Sequence, residues 1–559
     1  KFQQLQGTGG LGRHLLAVEP ARLRDYIERF TALLADENIE QAGYYAHASV
    51  GVIHVRPALN LKTEDDVRRL HRVADRVSSL ALEFGGANTG EHGDGLVRSC
   101  WIEKMYGPVV VEAFKEVKQA FDPENLFNPG KIVDAPPMTD NLRFGPDYDV
   151  QRVKTHFDYT RHGGPAGLVE MCSGLGQCRQ RFVDTMCPSF AATGDETHTT
   201  RARANALRSA LSNRGLMEGL NDPAIDEGMD LCLSCKACKT ECPTGVDMAK
   251  LKAEWLAHRN MRRGVSRQAR FIADAPRLAA MGSRFPRLSN LLLQSSTVRA
   301  LMEKRYGLDR RIAPPRLART TFRRWFTHHT RSRQRRGLRP RVVYFVDTWT
   351  NFYTPSVGIA AVKLLEAAGF FVLAPSLECC GRPLISKGLL TEAKRLARQN
   401  IAELIRFADT KTPILGTEPS CILTLVDEYP QLVQTEDARA VAGVARTLDS
   451  FLIDLIRSDP DRIAYKPTAK RLLYHAHCHQ KAIVGSSDAL ALLNTPPGFV
   501  AEQINSGCCG MAGSFGHEKE HYDIAAAIGE ERLFPAVRRR GDGEIATESL
   551  ADVLEHTRS

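Results

Sequence analysis

Apolar positions recur at helical spacing over residues 20–36 and 63–84, the stretch 44–59 between them reads as β-rich, and the start of the chain is therefore predicted to be α+β. A Gly-rich loop over 85–95 and a long helix over 107–121 follow. An irregular segment with several prolines leads into 169–257, predicted to be mostly helical between its cysteine motifs. Over 258–341 short helical patterns are interrupted at Pro276, Pro286, Pro314 and Pro315. From Val342 onward strands and helices alternate, and the order repeats: VVYFVDTW precedes ECCGRPLISKG, and RLLYHAHCHQ precedes GCCGMAGSFG, with the two CCG triplets 129 positions apart. Alternation of this kind predicts two α/β lobes with parallel sheets. The boundaries that result are 1–135, a linker 136–168, a cysteine-rich module 169–257, a connector 258–341, and lobes 342–465 and 466–559.

With 559 residues, 43% of them hydrophobic and 25% charged, the chain has globular composition and room for three to four domains. No run approaches the roughly 18–20 apolar residues of a membrane-spanning helix, and the first residues lack a signal-peptide apolar core, which predicts a cytoplasmic protein with at most peripheral membrane contact. The chain starts at Lys1 within what reads as folded sequence, so further sequence is expected upstream. The net charge of +10 is local: 258–341 holds 23 Arg or Lys against three acids, leaving the remainder at about −10. No nucleic-acid motif accompanies this segment, and aromatic residues such as Phe322, Trp325 and Phe326 cluster at one end. Docking to a lipid surface or an acidic partner, or solvated packing between domains, are the readings left open.

Fourteen cysteines in such a chain call for metal or redox chemistry before disulfides. Cys232, Cys235, Cys238 and Cys242-Pro243 carry the spacing with which three thiolates wrap one corner of a [4Fe-4S] cluster, while the fourth serves elsewhere. Zinc is the alternative, although its sites normally pair two distant CxxC knuckles. Cys187, which also precedes proline, completes the predicted set Cys187, Cys232, Cys235 and Cys238. Cys172, Cys178 and Cys242 form a possible second set, with Leu175 where another ligand would stand. Three thiolates are compatible with a three-iron cluster, a four-iron cluster with a foreign ligand, or none.

Vicinal cysteines are poorly suited to a purely structural role, because adjacent side chains diverge. Cys379, Cys380 and Cys421 in one lobe, and Cys478, Cys508 and Cys509 in the other, are thus candidates for redox chemistry or cluster ligation, with a scaffold role as the alternative. The CCG repeats resemble the cysteine-rich domains of heterodisulfide reductase subunits and of the iron-sulfur subunits of glycolate and anaerobic glycerol-3-phosphate oxidases. Two departures stand out: no cysteine near Asp347 and Trp349 matches Cys478, and Ser549 stands where the first lobe has Cys421.

The strings YAHASVGVIHVRP, EFGGANTGEHGDG and FDPENLFNPGKI resemble the C-terminal, substrate-binding part of FAD-linked oxidases of the vanillyl-alcohol oxidase type. Followed by a ferredoxin module and two CCG domains, they resemble the large bacterial D-2-hydroxyglutarate or D-lactate dehydrogenases. The resemblance implies a divalent metal, Zn or Mn, held by His47, His54 and Glu91, with His92 as base; Glu91, Gly93, Asn128 and Lys131 near the flavin; and oxidation of a D-2-hydroxy acid, with electrons leaving through the cluster to a quinone or carrier protein. D-2-hydroxyglutarate is preferred, with D-lactate or glycolate next. Arg56 and Arg98 are candidate carboxylate clamps, since guanidinium binds bidentately. Seven positions is an odd interval, so a bend near 49–51 is required for His47 and His54 to share an ion. An electron-transfer protein without substrate chemistry of its own is the competing expectation.

Overall fold

The computed structural model describes residues 14–213, 219–331 and 339–547. They form two compact units, one containing the described residues up to Gln151 with Ser212 and Asn213, the other the remainder. Mixed helix and sheet is present in both, as the sequence predicts.

In the first unit, strands β1 (His14–Ala17), β2 (Ala42–His47) and β3 (Val52–Pro57) make an antiparallel sheet in the order β1-β3-β2. The helices Leu23–Asp36 and Glu64–Glu83 bury Tyr26, Phe30, Leu70, Val73 and Val77 in its core. Thr63 starts the second helix by accepting the Asp66 N–H, and Glu64, Asp65 and Asp66 place negative charge at the positive end of the helix dipole. Met138, Phe144 and Tyr148, within the segment read as a linker, are buried in this same core.

The second unit contains two parallel sheets. Strands β4 (Arg341–Tyr344), β5 (Phe371–Leu373), β6 (Ile414–Gly416) and β7 (Ala445–Thr447) are ordered β5-β4-β6-β7. Strands β8 (Lys470–His475), β9 (Phe499–Gln503) and β10 (Glu544–Thr547) are ordered β10-β8-β9. The cysteine-rich segment and the first lobe share one apolar core, in which Leu168, Val246 and Trp255 pack with Leu390, Leu404 and Ile422. In the connector, Pro276 and Pro286 open the helices Ala275–Gly282 and Pro286–Gln294, where the missing N–H has no partner to lose. Phe322 is fully buried against Tyr344 of β4, so this aromatic group is core. Among the described residues no helix is long and apolar enough to cross a membrane.

Candidate functional site

The first unit gathers the predicted metal residues by a device more complete than a bend. After His47 the chain turns through Ala48–Val50 and Gly51, then returns as the antiparallel neighbour β3. His47 pairs with Val52 and Tyr45 with His54, so the odd interval is cancelled and both histidines face one side. Gly51 is needed at the turn: its φ is +69°, and a Cβ there would lie 1.8 Å from the Val18 carbonyl oxygen.

Glu91 reaches this face from the Gly-rich loop. One ligand atom from each of His47, His54 and Glu91 falls within 4.8 Å of the others. His54 Nε2 is 2.9 Å and His47 Nε2 3.5 Å from Glu91 oxygens, and His92 Nε2 is 3.3 Å from the same carboxylate. Burial pushes the His54 pKa down by more than Glu91 raises it, which favours the neutral imidazole that a metal requires. His54 Nε2 is buried and converges with His47 on the Glu91 carboxylate, so two imidazoles and a carboxylate fit a Zn or Mn ion.

Arg56, two residues after His54 on the same face, lies over the Tyr45 ring at 4.6 Å. Arg98 donates to the Gly93 carbonyl, and burial lowers its pKa against the pull of Asp94. Both guanidinium groups keep a buried Nε without a hydrogen-bond partner, as a carboxylate clamp needs. The loop with Asn128 and Lys131 is tied to this region by the Ile132 N–H, which donates to Ser99 Oγ at 3.0 Å, and exposed Leu126 and Phe127 precede Asn128. Asn128 itself holds a positive φ of 49°.

In the second unit Cys187, Cys232, Cys235 and Cys238 are all buried. Burial first, then Cys508 beside Cys235 and Asp247 beside Cys238, and after them the other thiols of the set, push both thiols well above the ordinary thiol range. Sequence reasoning missed Arg203, which is fully buried and donates from Nη1 to Cys187 Sγ at 3.3 Å and from Nη2 to Ser189 at 2.9 Å. Although burial opposes its charge, Cys187 and Cys232 raise its pKa. The Met248 N–H donates to Cys238 at 3.4 Å. Four buried thiols with an arginine and a backbone N–H aimed at their sulfurs fit an anionic iron-sulfur cluster. Cys178 lies near Cys172 and Cys242 and accepts the Arg201 N–H at 3.4 Å, so the second predicted set also converges, with Leu175 exposed beside it.

The six CCG cysteines line a single cavity of about 620 Å³, which also reaches Cys235. Cys380 lies 3.2 Å from Cys421, and hydrogen bonding to Cys380 together with burial pushes the Cys379 thiol up. In the other lobe hydrogen bonds from Cys478 and Cys509 hold Cys508 well below the ordinary thiol range. The position corresponding to Cys478 is Thr348, the first helical residue after β4 as Cys478 is after β8, and it hydrogen-bonds Cys379. Asp347 instead caps the helix by accepting the Thr350 N–H at 2.9 Å. Ser549 lies outside the described residues.

The loop that bears the cluster cysteines is held by both lobes. Lys236 pairs with Asp427 and Glu428 of the helix Pro419–Val433, and His479 Nε2 lies 3.1 Å from the Ser234 carbonyl oxygen.

Comparison with known proteins agrees with this layout. Residues 16–132 match the C-terminal domain of FAD linked oxidases, 168–246 a 4Fe-4S dicluster domain, and 343–426 a cysteine-rich domain. The chain is 27% identical to D-2-hydroxyglutarate dehydrogenase of Escherichia coli (strain K12) over 575 residues, covering 93% of this chain and 54% of the relative. It is 28% identical to a subunit of the anaerobic glycerol-3-phosphate dehydrogenase of the same organism over 280 residues, covering 48% and 68%. It is 34% identical to lactate utilization protein A of an Exiguobacterium strain over 203 residues, covering 35% and 80%. The chain spans about half the length of the D-2-hydroxyglutarate dehydrogenases it matches. In the order in which the structure presents them, the chain therefore carries the C-terminal domain of the FAD linked oxidases, a 4Fe-4S dicluster domain and a cysteine-rich domain.

Proposed function

We propose that this chain is the substrate-binding and electron-transfer part of a flavin- and iron-sulfur-dependent dehydrogenase that oxidises a D-2-hydroxy acid to the 2-oxo acid, D-2-hydroxyglutarate before D-lactate or glycolate. The observation that carries the reading is the convergence of His47, His54 and Glu91 beside His92. Similarity to the D-2-hydroxyglutarate dehydrogenases over 93% of the chain supports the substrate choice. When bound, FAD supplies a two-electron acceptor, the metal a Lewis acid, and the cluster a one-electron exit.

The protein's own part is positioning and proton transfer. His47, His54 and Glu91 hold the ion, and Arg56 and Arg98 bind carboxylate through their unpartnered Nε groups. His92, half exposed beside Glu91, takes the substrate's hydroxyl proton. Asn128 and Lys131, with Leu126 and Phe127, form the surface against which the flavin rests. Cys187, Cys232, Cys235 and Cys238 would hold the [4Fe-4S] cluster, and Cys172, Cys178 and Cys242 would hold a second cluster, either three-iron or four-iron with one ligand other than cysteine. The acceptor is a quinone or a carrier protein.

Metal content distinguishes this from an electron-transfer protein without substrate chemistry, which the likeness to the glycerol-3-phosphate dehydrogenase subunit would favour. Titration with Mn²⁺ and Zn²⁺, followed by elemental analysis, is expected to give one tight site in the wild-type chain and none in His54→Ala or Glu91→Gln. A chain that binds neither ion, or binds it equally well in both variants, removes the substrate site.

A further inference from the structure

The connector's charge conceals a second property, which is that its helices are apolar on two sides. Inward, Phe271, Ala279, Leu293 and Met302 line the same cavity that reaches Cys235, Trp349 and the six CCG cysteines. Outward, Met281, Phe285, Leu288, Leu291 and Leu301 are each more than half exposed, with Phe285 at 70% and Leu291 at 71%. The helices Pro286–Gln294 and Ser296–Tyr306 have no fully buried residue at all. Leu278 and Leu292 are exposed and yet line the cavity, so its apolar wall continues to the outer surface. Exposed Arg277, Arg284, Arg287, Lys304 and Arg305 are interspersed among these apolar positions.

A row of exposed Leu and Phe on helices exceeds what a surface facing only water normally carries. Short helices that combine such a row with clustered Arg and Lys have the composition of elements lying in the interface of an anionic bilayer. A cavity of about 620 Å³ is in the range of small-molecule sites, and this one runs from that surface to a predicted cluster thiolate.

We propose that the helices Ala275–Gly282, Pro286–Gln294 and Ser296–Tyr306 dock the chain on an anionic lipid surface, and that the cavity beneath them takes a quinone-class acceptor from that bilayer. The inference rests on the reading that electrons reach Cys187, Cys232, Cys235 and Cys238. The hydroxy acid loses two electrons and two protons as its C2–H and O–H bonds break, and the quinone gains two electrons and two protons to become a quinol. The overall exchange therefore balances without another reactant. His475, His477 and His517, which also line the cavity, offer a route for the protons.

Two measurements on the cluster-loaded chain test this, and neither uses the hydroxy acid, so a wrong substrate assignment leaves them unaffected. In vesicle flotation, the wild-type chain is expected to bind phosphatidylcholine vesicles that contain phosphatidylglycerol, and Phe285→Glu with Leu291→Glu to lower that binding at least about tenfold, since a carboxylate resists entry into the apolar layer. Arg284→Gln with Arg287→Gln, which alters only exposed side chains, is expected to weaken binding to anionic vesicles and flatten its salt dependence. A photoreactive azidoquinone is expected to label peptides carrying Trp349, Phe271 or Met302, excess short-chain ubiquinone to protect them, and Leu292→Glu to reduce the labelling. Flotation that ignores these substitutions, or labelling without protection, overturns the proposal. So does binding of a soluble acidic electron-transfer flavoprotein, lost in Phe285→Glu with Leu291→Glu, by a chain that ignores lipid.

Discussion

Lys236 Nζ lies 2.8 Å from Asp427 Oδ2 with both side chains sealed from solvent, and this pair fastens the cluster loop to the first cysteine-rich lobe. Burial works against the Asp427 charge, but Lys236 and Lys239 together hold its carboxyl well below the ordinary range. Lys236→Met leaves Asp427 and Glu428 to Lys239 and Arg382 in a buried setting. The expected loss is about 3 kcal/mol of unfolding free energy, as for other buried pairs deprived of one partner. Denaturant titration reads it directly, and a loss within experimental scatter would show that the pair is dispensable.

A second fastening is sensitive to pH. His521 is stacked on Phe515 and lies 2.9 Å from Asp230 and 3.5 Å from Glu518, which Lys387 also contacts. Burial lowers the His521 pKa, but the two carboxylates outweigh it and raise the value to about 9. A group with a raised folded pKa stabilises fully below its unfolded value, near 6.5 for histidine, and that contribution is lost as pH climbs through the folded value. Unfolding free energy is therefore expected to fall between about pH 6.5 and 9 by something on the order of 2 kcal/mol. In His521→Gln this slope should flatten, and an unchanged slope would assign it to other groups.

Cys235→Ser is expected to abolish the visible absorption of the cluster at Cys187, Cys232 and Cys238. In a protein that carries the flavin, reduction of flavin by substrate should persist while transfer onward stops. Cluster absorption and iron content undiminished from those of the wild-type chain would exclude Cys235 as a ligand.

His92→Ala is expected to slow flavin reduction by the hydroxy acid by roughly two to four orders of magnitude, the usual contribution of a general base. Stopped-flow bleaching of the flavin measures this. Metal binding should persist, because His92 is not among the three converging ligand residues.

Gly51→Ala tests the hairpin that aligns the histidines. The new Cβ meets the Val18 carbonyl oxygen at 1.8 Å and the residue must hold a positive φ, so a cost of about 2–4 kcal/mol is expected from strain and displacement together. Metal affinity should fall with it, and normal Mn²⁺ binding in a folded variant would show that the turn does not control the ligand geometry.

These cases mark where the sequence was legible. The helix Glu64–Glu83 was readable because its period, its Thr63 cap and its acidic first turn are local signals. The cluster set was readable from cysteine spacing, which is also local. Arg203 was not, because it stands 16 residues from the sulfur it contacts and nothing near it in sequence distinguishes it from the half-buried Arg201 two positions before. The parity of His47 and His54 required a change of direction, but whether the chain bends or returns as a paired strand depends on β1 and Val18 closing over Gly51. Thr348 escaped notice because a missing cysteine has no pattern, and only the matched helix starts after β4 and β8 locate its replacement. The meeting of six cysteines around one cavity arises from the packing of two lobes, which no local period encodes.

The cluster loop, with Ser234 facing His479 of one lobe and Lys236 bound into the other, has a consequence for energetics beyond assembly. In the cluster proposed for Cys187, Cys232, Cys235 and Cys238, added negative charge would deepen the attraction to Arg203, and to Lys236 next to Cys235 in the chain, and by reciprocity those cations would make the added electron easier to accept. Reduction potential and rigidity of the two lobes are thus one coupled quantity. A substitution that loosens the loop should lower the potential, and the reduced chain should protect its amide hydrogens around Pro419–Val433 more strongly than the oxidised one.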